Sequence, residues 1–175
     1  MSVEVVFETH SISEDNERGV ATGWLPGRLS PRGRELAEEL GRRRRDDGLS
    51  VVFASDLRRA VETAEIAFAG SPLPVVRDER LRECDYGELN GTAEPIRTRV
   101  EHLRVPHPGG ESYEQAVARV RGCLDELRWE RDGERVLVIG HMATRWALEA
   151  EAHGRSLDEL VAERFEWRPG WEYVL

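Results

Sequence analysis

Two apolar runs of β type each end on a histidine, and they lie far apart in the chain. Val3-Glu4-Val5-Val6-Phe7-Glu8 leads through Thr9 to His10, and Arg135-Val136-Leu137-Val138-Ile139 leads through Gly140 to His141. Helical periodicities separate these runs from one another and from a third apolar run, Ser50 to Ala54. Strands alternating with helices argue for a parallel sheet covered on both faces. The expected fold is therefore α/β, a three-layer sandwich with a mostly parallel central sheet flanked by helices. In open sheets of this kind, ligands sit at the carboxyl ends of the strands, which is where both imidazoles fall. Ser55-Asp56-Leu57-Arg58-Arg59-Ala60, where the third run gives way to a helix, brings an arginine to the same crevice. Histidines with arginine imply an anionic substrate.

The elements between these landmarks follow from local chemistry. Ser30-Pro31 is a helix cap followed by proline at the first helical position; the helix carries Leu36, Ala37 and Leu40 and ends near Asp47-Gly48. Its closing run, Arg42 to Arg45, complements the helix dipole and reads as a solvated end rather than a binding patch. Ser55 or Asp56 is the expected cap of the next helix, with Ala60, Ala64, Ala67 and Phe68 on its apolar face. Pro74 to Arg77 reads as a short strand. Ser112 with Gln115 forms a capping box, ahead of a helix bearing Tyr113, Ala116, Val117, Val120, Leu124 and Leu127. A helix after His141 runs to His153-Gly154, Ser156 with Glu159 opens another, and Trp171 to Leu175 forms an edge strand. The residues from His10 to Ser30 leave an irregular connection of about 20 residues, a length that usually signals function. The segment around 81–111 shows little periodicity and reads as a loop-rich lid on a single domain, 1–175.

Composition narrows the function. A net charge of −9 disfavours nucleic acid or anionic membrane surfaces as partners, while a small anion still fits a locally basic pocket. No run approaches the roughly 18 apolar residues of a membrane span, and the first ten residues lack the pattern of a secretion signal, so a soluble, cytoplasmic protein is expected. Cys84 and Cys123 are too few for a disulfide framework or metal cluster. All 25 basic residues are arginines, so residue type alone marks none of them. His102, His107 and His153 read as surface residues, Asn90-Gly91 as a turn, and Trp167 and Trp171 as packing for the C-terminus.

A neutral imidazole attacks phosphorus and divides one hard displacement into two easier ones. Arginine matches phosphate oxygens with a planar fork of donors, and a second histidine donates to the same oxygens. The departing alkoxide then needs a proton, which a carboxylic acid supplies before activating water. Glu83 is the candidate acid.

These residues resemble the histidine phosphatase superfamily, also called phosphoglycerate mutase-like, over nearly the whole chain. By that resemblance His10 is the nucleophile and Asn16, six residues on, touches the phosphate. Thr22-Gly23-Trp24 and Leu29-Ser30-Pro31-Arg32-Gly33 look like the family's substrate loop and following helix start. Ser55 to Ala60 with Thr63-Ala64-Glu65 places the pocket arginine at Arg59. Leu81-Arg82-Glu83-Cys84-Asp85-Tyr86-Gly87 gives Glu83 the role of proton donor, Gly109-Gly110-Glu111-Ser112 opens a later helix, and Val138-Ile139-Gly140-His141 delivers the second histidine.

The resemblance has departures. Where the family has Arg-His-Gly, this chain reads Thr9-His10-Ser11, and losing a charge-assisted donor from a phosphate site costs about 1.5 to 3 kcal/mol. Thr9 and Ser11 offer hydroxyls instead, with Arg18 or Arg145 as candidate replacement cations, and Met142 stands where glycine is usual. The resemblance implies a phosphomonoester hydrolase working through phosphohistidine on a small phosphorylated metabolite, without metal or other cofactor. Its rivals are a phosphoglycerate mutase-like phosphotransferase and a catalytically weakened phosphate-binding protein.

Overall fold

Residues 2–175 are described by a computed structural model. Five strands form one sheet in the order β3-β2-β4-β1-β5: β1 Glu4–Thr9, β2 Val51–Ser55, β3 Val75–Asp78, β4 Arg135–Gly140 and β5 Trp171–Val174. All neighbours run parallel except β5, which pairs antiparallel with β1 at the edge. The larger helices are α2 Pro31–Arg44, α3 Arg58–Ala67, α5 Tyr113–Glu130 and α6 Met142–His153; α1 Glu14–Glu17, α4 Glu94–Arg97 and α7 Leu157–Ala162 are short. This is the expected α/β sandwich.

Strand alternation makes the two layers of core. Val5, Phe7, Phe53, Val136 and Val138 face α5 and α6, with Leu124, Trp146 and Leu148 packed against them. Val6, Val52, Ala54, Leu137 and Ile139 face α2 and α3, meeting Leu40, Ala60 and Ala64. The chain adds β2 and β3 on one side of its starting strand and then reverses to β4 and β5. Because each crossover between parallel strands is right-handed, that reversal carries the helices from one face to the other.

Local signals account for the helix starts. The Ser30 hydroxyl accepts from the Gly33 N–H at 3.1 Å, and Ser112 and Gln115 close the expected capping box. Gly33 also lets α2 approach the connection after β1, since a Cβ there would lie 1.9 Å from the Ile12 carbonyl oxygen. That connection is partly ordered by α1, which Ser13 and Asn16 cap reciprocally.

Three expectations need correction. Leu57, not Ser55 or Asp56, occupies the cap of α3, without a side-chain cap bond; the Asp56 carboxylate is taken by Arg82, whose Nε lies 2.7 Å away. His107 is 1% exposed: its Nδ1 donates to the Glu111 carbonyl at 2.8 Å, and its ring stacks on His102. The arginines closing α2 are not uniformly solvated. Arg42 is exposed, but Arg43 and Arg44 both reach Glu8, a carboxylate only 2% exposed, at 3.3 and 2.9 Å. Glu8 follows Val6 onto the face that meets α2, so the buried charge draws these cations inward.

Arg44 is the closer and more buried of the two partners of Glu8, so removing it leaves that carboxylate with the partly exposed Arg43 alone. Arg44→Ala should cost about 3 kcal/mol in urea denaturation, and Glu8→Leu combined with Arg44→Met should recover most of it.

Candidate active site

Neighbouring strand ends bring the two histidines together. Thr9 is opposite Gly140 in the β1–β4 register, so the next residue of each strand, His10 and His141, emerges beside the other. The His10 N–H donates to the Gly140 carbonyl at 3.0 Å, and the ring centroids lie 5.0 Å apart. β2, on the other flank of β4, leads into α3, whose second residue is Arg59. This guanidinium is 3% exposed. Its Nε donates to His10 Nε2 at 3.3 Å and its Nη2 to the Gly23 carbonyl at 3.0 Å, while Nη2 stands 3.4 Å from His141 Nδ1.

These partners fix the tautomers. His10 Nδ1 faces the Ser11 carbonyl at 2.7 Å, so Nδ1 carries the proton and Nε2 keeps its lone pair. Arg59 has only donors; His141 Nδ1 therefore accepts, and its proton sits on Nε2. That nitrogen, like Arg59 Nη1, is buried and has no partner. Burial, reinforced by the Arg59 charge, lowers the His10 pKa to about 3 despite the opposing Ser11 bond. Burial likewise takes His141 well below the usual histidine range, with Arg59 and His10 adding to the effect. Both rings are neutral near pH 7. Burial opposes the Arg59 charge, and Glu83 supports it.

Glu83 enters from the segment after β3. Its carboxylate accepts from Cys84 N–H at 2.9 Å, Met142 N–H at 3.1 Å and Ala143 N–H at 3.3 Å, the last two at the start of α6. The Trp24 indole and Arg119 Nη2 donate to the Glu83 carbonyl at 2.7 and 3.2 Å, and Arg82 lies 4.6 Å over the Trp24 ring. Arg119 carries no sequence signal for this bracing role, because it sits on α5, far along the chain.

A cavity of about 670 Å³ has His10, His141, Glu83, Asn16, Thr9 and Ser11 among its walls. Asn16 Oδ1 is occupied by the Ser13 backbone N–H and hydroxyl, each at 2.9 Å, which leaves its amide NH2 to serve the cavity. The Ser11 hydroxyl donates to the Gly33 carbonyl at 2.6 Å. Arg59, Thr22 and Gly23 are not among the walls: Arg59 adjoins the cavity through its contacts with His10 and His141, Thr22 donates to Asp15 at 2.8 Å, and the Gly23 carbonyl receives Arg59. Neither candidate replacement cation lines the cavity. Arg18 is exposed and paired with Asp15, and Arg145 lies 5.1 Å over the Trp171 ring. The cations in the walls are Arg32 and Arg43. From the segment 81–111, Glu83 is the residue that lines the cavity. Phe165 and Trp167 also line it, whereas Trp171 packs on Phe7 as expected. Among the described residues, no group of three or more His, Cys, Asp or Glu is placed to hold a metal ion, and no helix is long and apolar enough to cross a membrane.

Comparison with known proteins decides the family. The model of the Histidine phosphatase superfamily (branch 1) matches residues 6–168. The chain belongs to this superfamily. Its members are phosphatases or mutases that bind small phosphorylated substrates. A 2,3-bisphosphoglycerate-dependent phosphoglycerate mutase of Methylobacterium sp. is 38% identical, across 90% of this chain and 78% of that enzyme. Phosphoserine phosphatase 1 of Hydrogenobacter thermophilus is 32% identical, across 90% and 79%. Among solved structures, Bacillus stearothermophilus YhfR superposes with a TM-score of 0.84 at 26% identity, covering 98% of this chain and 90% of that one.

The depressed histidine pKa carries a pH signature. In the unfolded chain His10 gains its proton near the ordinary value of about 6.5, but the folded protein resists until about 3. The unfolded state therefore binds more protons between these values, and stability falls as pH drops through that window. Tm should be lower at about pH 4.5 than at about pH 8, with a shallower decline in His10→Gln. Nitrogen-detected NMR should show His10 as the neutral Nδ1–H tautomer throughout.

Proposed function

We propose that the protein is a metal-independent phosphomonoester hydrolase in which His10 Nε2 attacks phosphorus. The observation that carries this reading is the neutral His10 Nε2 lone pair beside two buried donors that lack partners, His141 Nε2 and Arg59 Nη1. A phosphoryl group seated there satisfies both donors. Fixed donors of this kind stabilise the equatorial charge of the transition state without reorganising during reaction. The Asn16 amide and the Thr9 and Ser11 segment complete the binding wall.

Glu83 serves as the acid. Its carboxyl group passes its proton to the departing alkoxide. The phosphoryl group is then on His10 Nε2. Water, deprotonated by Glu83, attacks phosphorus, the N–P bond breaks, inorganic phosphate leaves and the His10 lone pair is restored.

The relatives include mutases, which return the phosphoryl group to another hydroxyl. Phosphoglycerates also carry a carboxylate and so call for a second unpaired cation. Both cations in the cavity walls are engaged, Arg32 with Glu35 at 2.8 Å and Arg43 with Glu8 at 3.3 Å. This favours hydrolysis of a small phosphorylated metabolite.

Phosphate release from glycerol phosphate should fall at least about 10³-fold in His10→Ala. Glu83→Gln should lose about 10² to 10⁴ with this alkoxide leaving group and far less with p-nitrophenyl phosphate, whose leaving group needs no proton. Equal rates in wild type and His10→Ala would overturn the mechanism. Conversion of 3-phosphoglycerate to its isomer faster than phosphate release would make the enzyme a mutase.

A further inference from the structure

We infer that the part of the cavity walled by apolar side chains, its apolar arm, takes an uncharged, apolar organic group, making the substrate an alkyl or aryl-alkyl phosphomonoester. The inference rests on the phosphatase reading above. The same cavity is also walled by Ile12, Leu36, Leu40, Met142, Phe165 and Trp167. A substrate held by its phosphoryl group at His10 must lay its organic part among these side chains. Each cation of the arm already has a carboxylate partner, Arg43 sharing Glu8 with Arg44 and Arg32 pairing with Glu35, so a carboxylate there would compete with those partners while losing its hydration. An apolar group loses nothing of the kind and gains burial. A volume of about 670 Å³ lies within the range of sites that enclose drug-sized ligands.

The aromatic wall is fastened at both ends. Arg99 Nη2 donates to the Glu163 carbonyl at 3.1 Å and Arg44 Nη2 to the Pro169 carbonyl at 3.3 Å. The second anchor depends on Gly170, where a Cβ would lie 2.1 Å from Arg44 Nη2 and 3.0 Å from Glu8 Oε1. The buried Glu8–Arg44 pair thus fixes the strand that bears His10 and also the segment that presents Trp167. Trp167 is 55% exposed, a large aromatic surface held against the cavity with little to cover it.

The test compares 1-naphthylmethyl phosphate with glycerol 3-phosphate. Both release an alkoxide, so leaving-group acidity does not dominate the comparison. Wild type should favour the naphthylmethyl ester at least about ten-fold in kcat/KM. Trp167→Ala should reduce that ratio about five-fold or more, chiefly through a higher KM for the naphthylmethyl ester, and Trp167→Phe should restore most of it. Trp129→Ala, exposed on α5 and outside the cavity, should leave the ratio as it was. Calorimetry with naphthylmethylphosphonate and methylphosphonate repeats the comparison without turnover. Hydrolysis of both esters with no preference, or a ratio unchanged in Trp167→Ala, overturns the apolar arm and leaves the phosphatase reading intact. Selective, Trp167-dependent phosphonate binding by a protein that hydrolyses neither ester sustains the arm and overturns the phosphatase reading.

Discussion

One buried guanidinium organises this site. Arg59 touches both imidazoles and the Gly23 carbonyl, and its cation adds to burial, the larger effect, in making a positive charge on either ring unfavourable. The rings therefore stay neutral, which leaves a lone pair on His10 and a proton on His141 Nε2. The two rings take different tautomers because their partners differ: a backbone carbonyl holds the proton on one ring, and the arginine excludes it from the facing nitrogen of the other, which is what the proposed nucleophile and donor require.

The fold is what lets three such groups meet. β1 and β4 are parallel neighbours in register, so histidines placed one residue past each strand are adjacent without any special loop. β2 lies on the far side of β4, and the helix it feeds presents Arg59 from its first turn. Glu83 is bound to the same corner by backbone N–H groups opening α6, the helix that follows His141. Glu83 and His141 are thereby coupled through one helix start, and Trp24 with Arg119 holds the Glu83 carbonyl.

Much of this is legible in the sequence because strand ends and helix starts are local features. The apolar runs before His10 and His141, the Ser30-Pro31 cap and the Ser112–Gln115 box each act within a few residues. The features that escaped a linear reading depend on distant segments meeting. Glu8 looks like a polar interruption of a strand, and nothing nearby announces that Arg43 and Arg44 will bury beside it. Arg18 is close to His10 in sequence but points to Asp15 at the surface, whereas Arg32 and Arg43 reach the cavity because α2 packs along it. His107 is buried because Tyr86 and Tyr113 converge on it from separate segments, and Trp167 reaches the cavity because the chain doubles back before β5.

The claim on which the account turns is that phosphorus bonds to His10 Nε2 during turnover. Alkaline quenching of enzyme mixed with excess substrate, followed by mass spectrometric mapping of the phosphorylated peptide, tests it most directly, since phosphohistidine survives base. The account predicts a phosphoryl group on His10 that appears within the first turnover and is absent from His10→Ala. Phosphate release with no phosphorylated protein, or a phosphoryl group found on His141 instead, would contradict it.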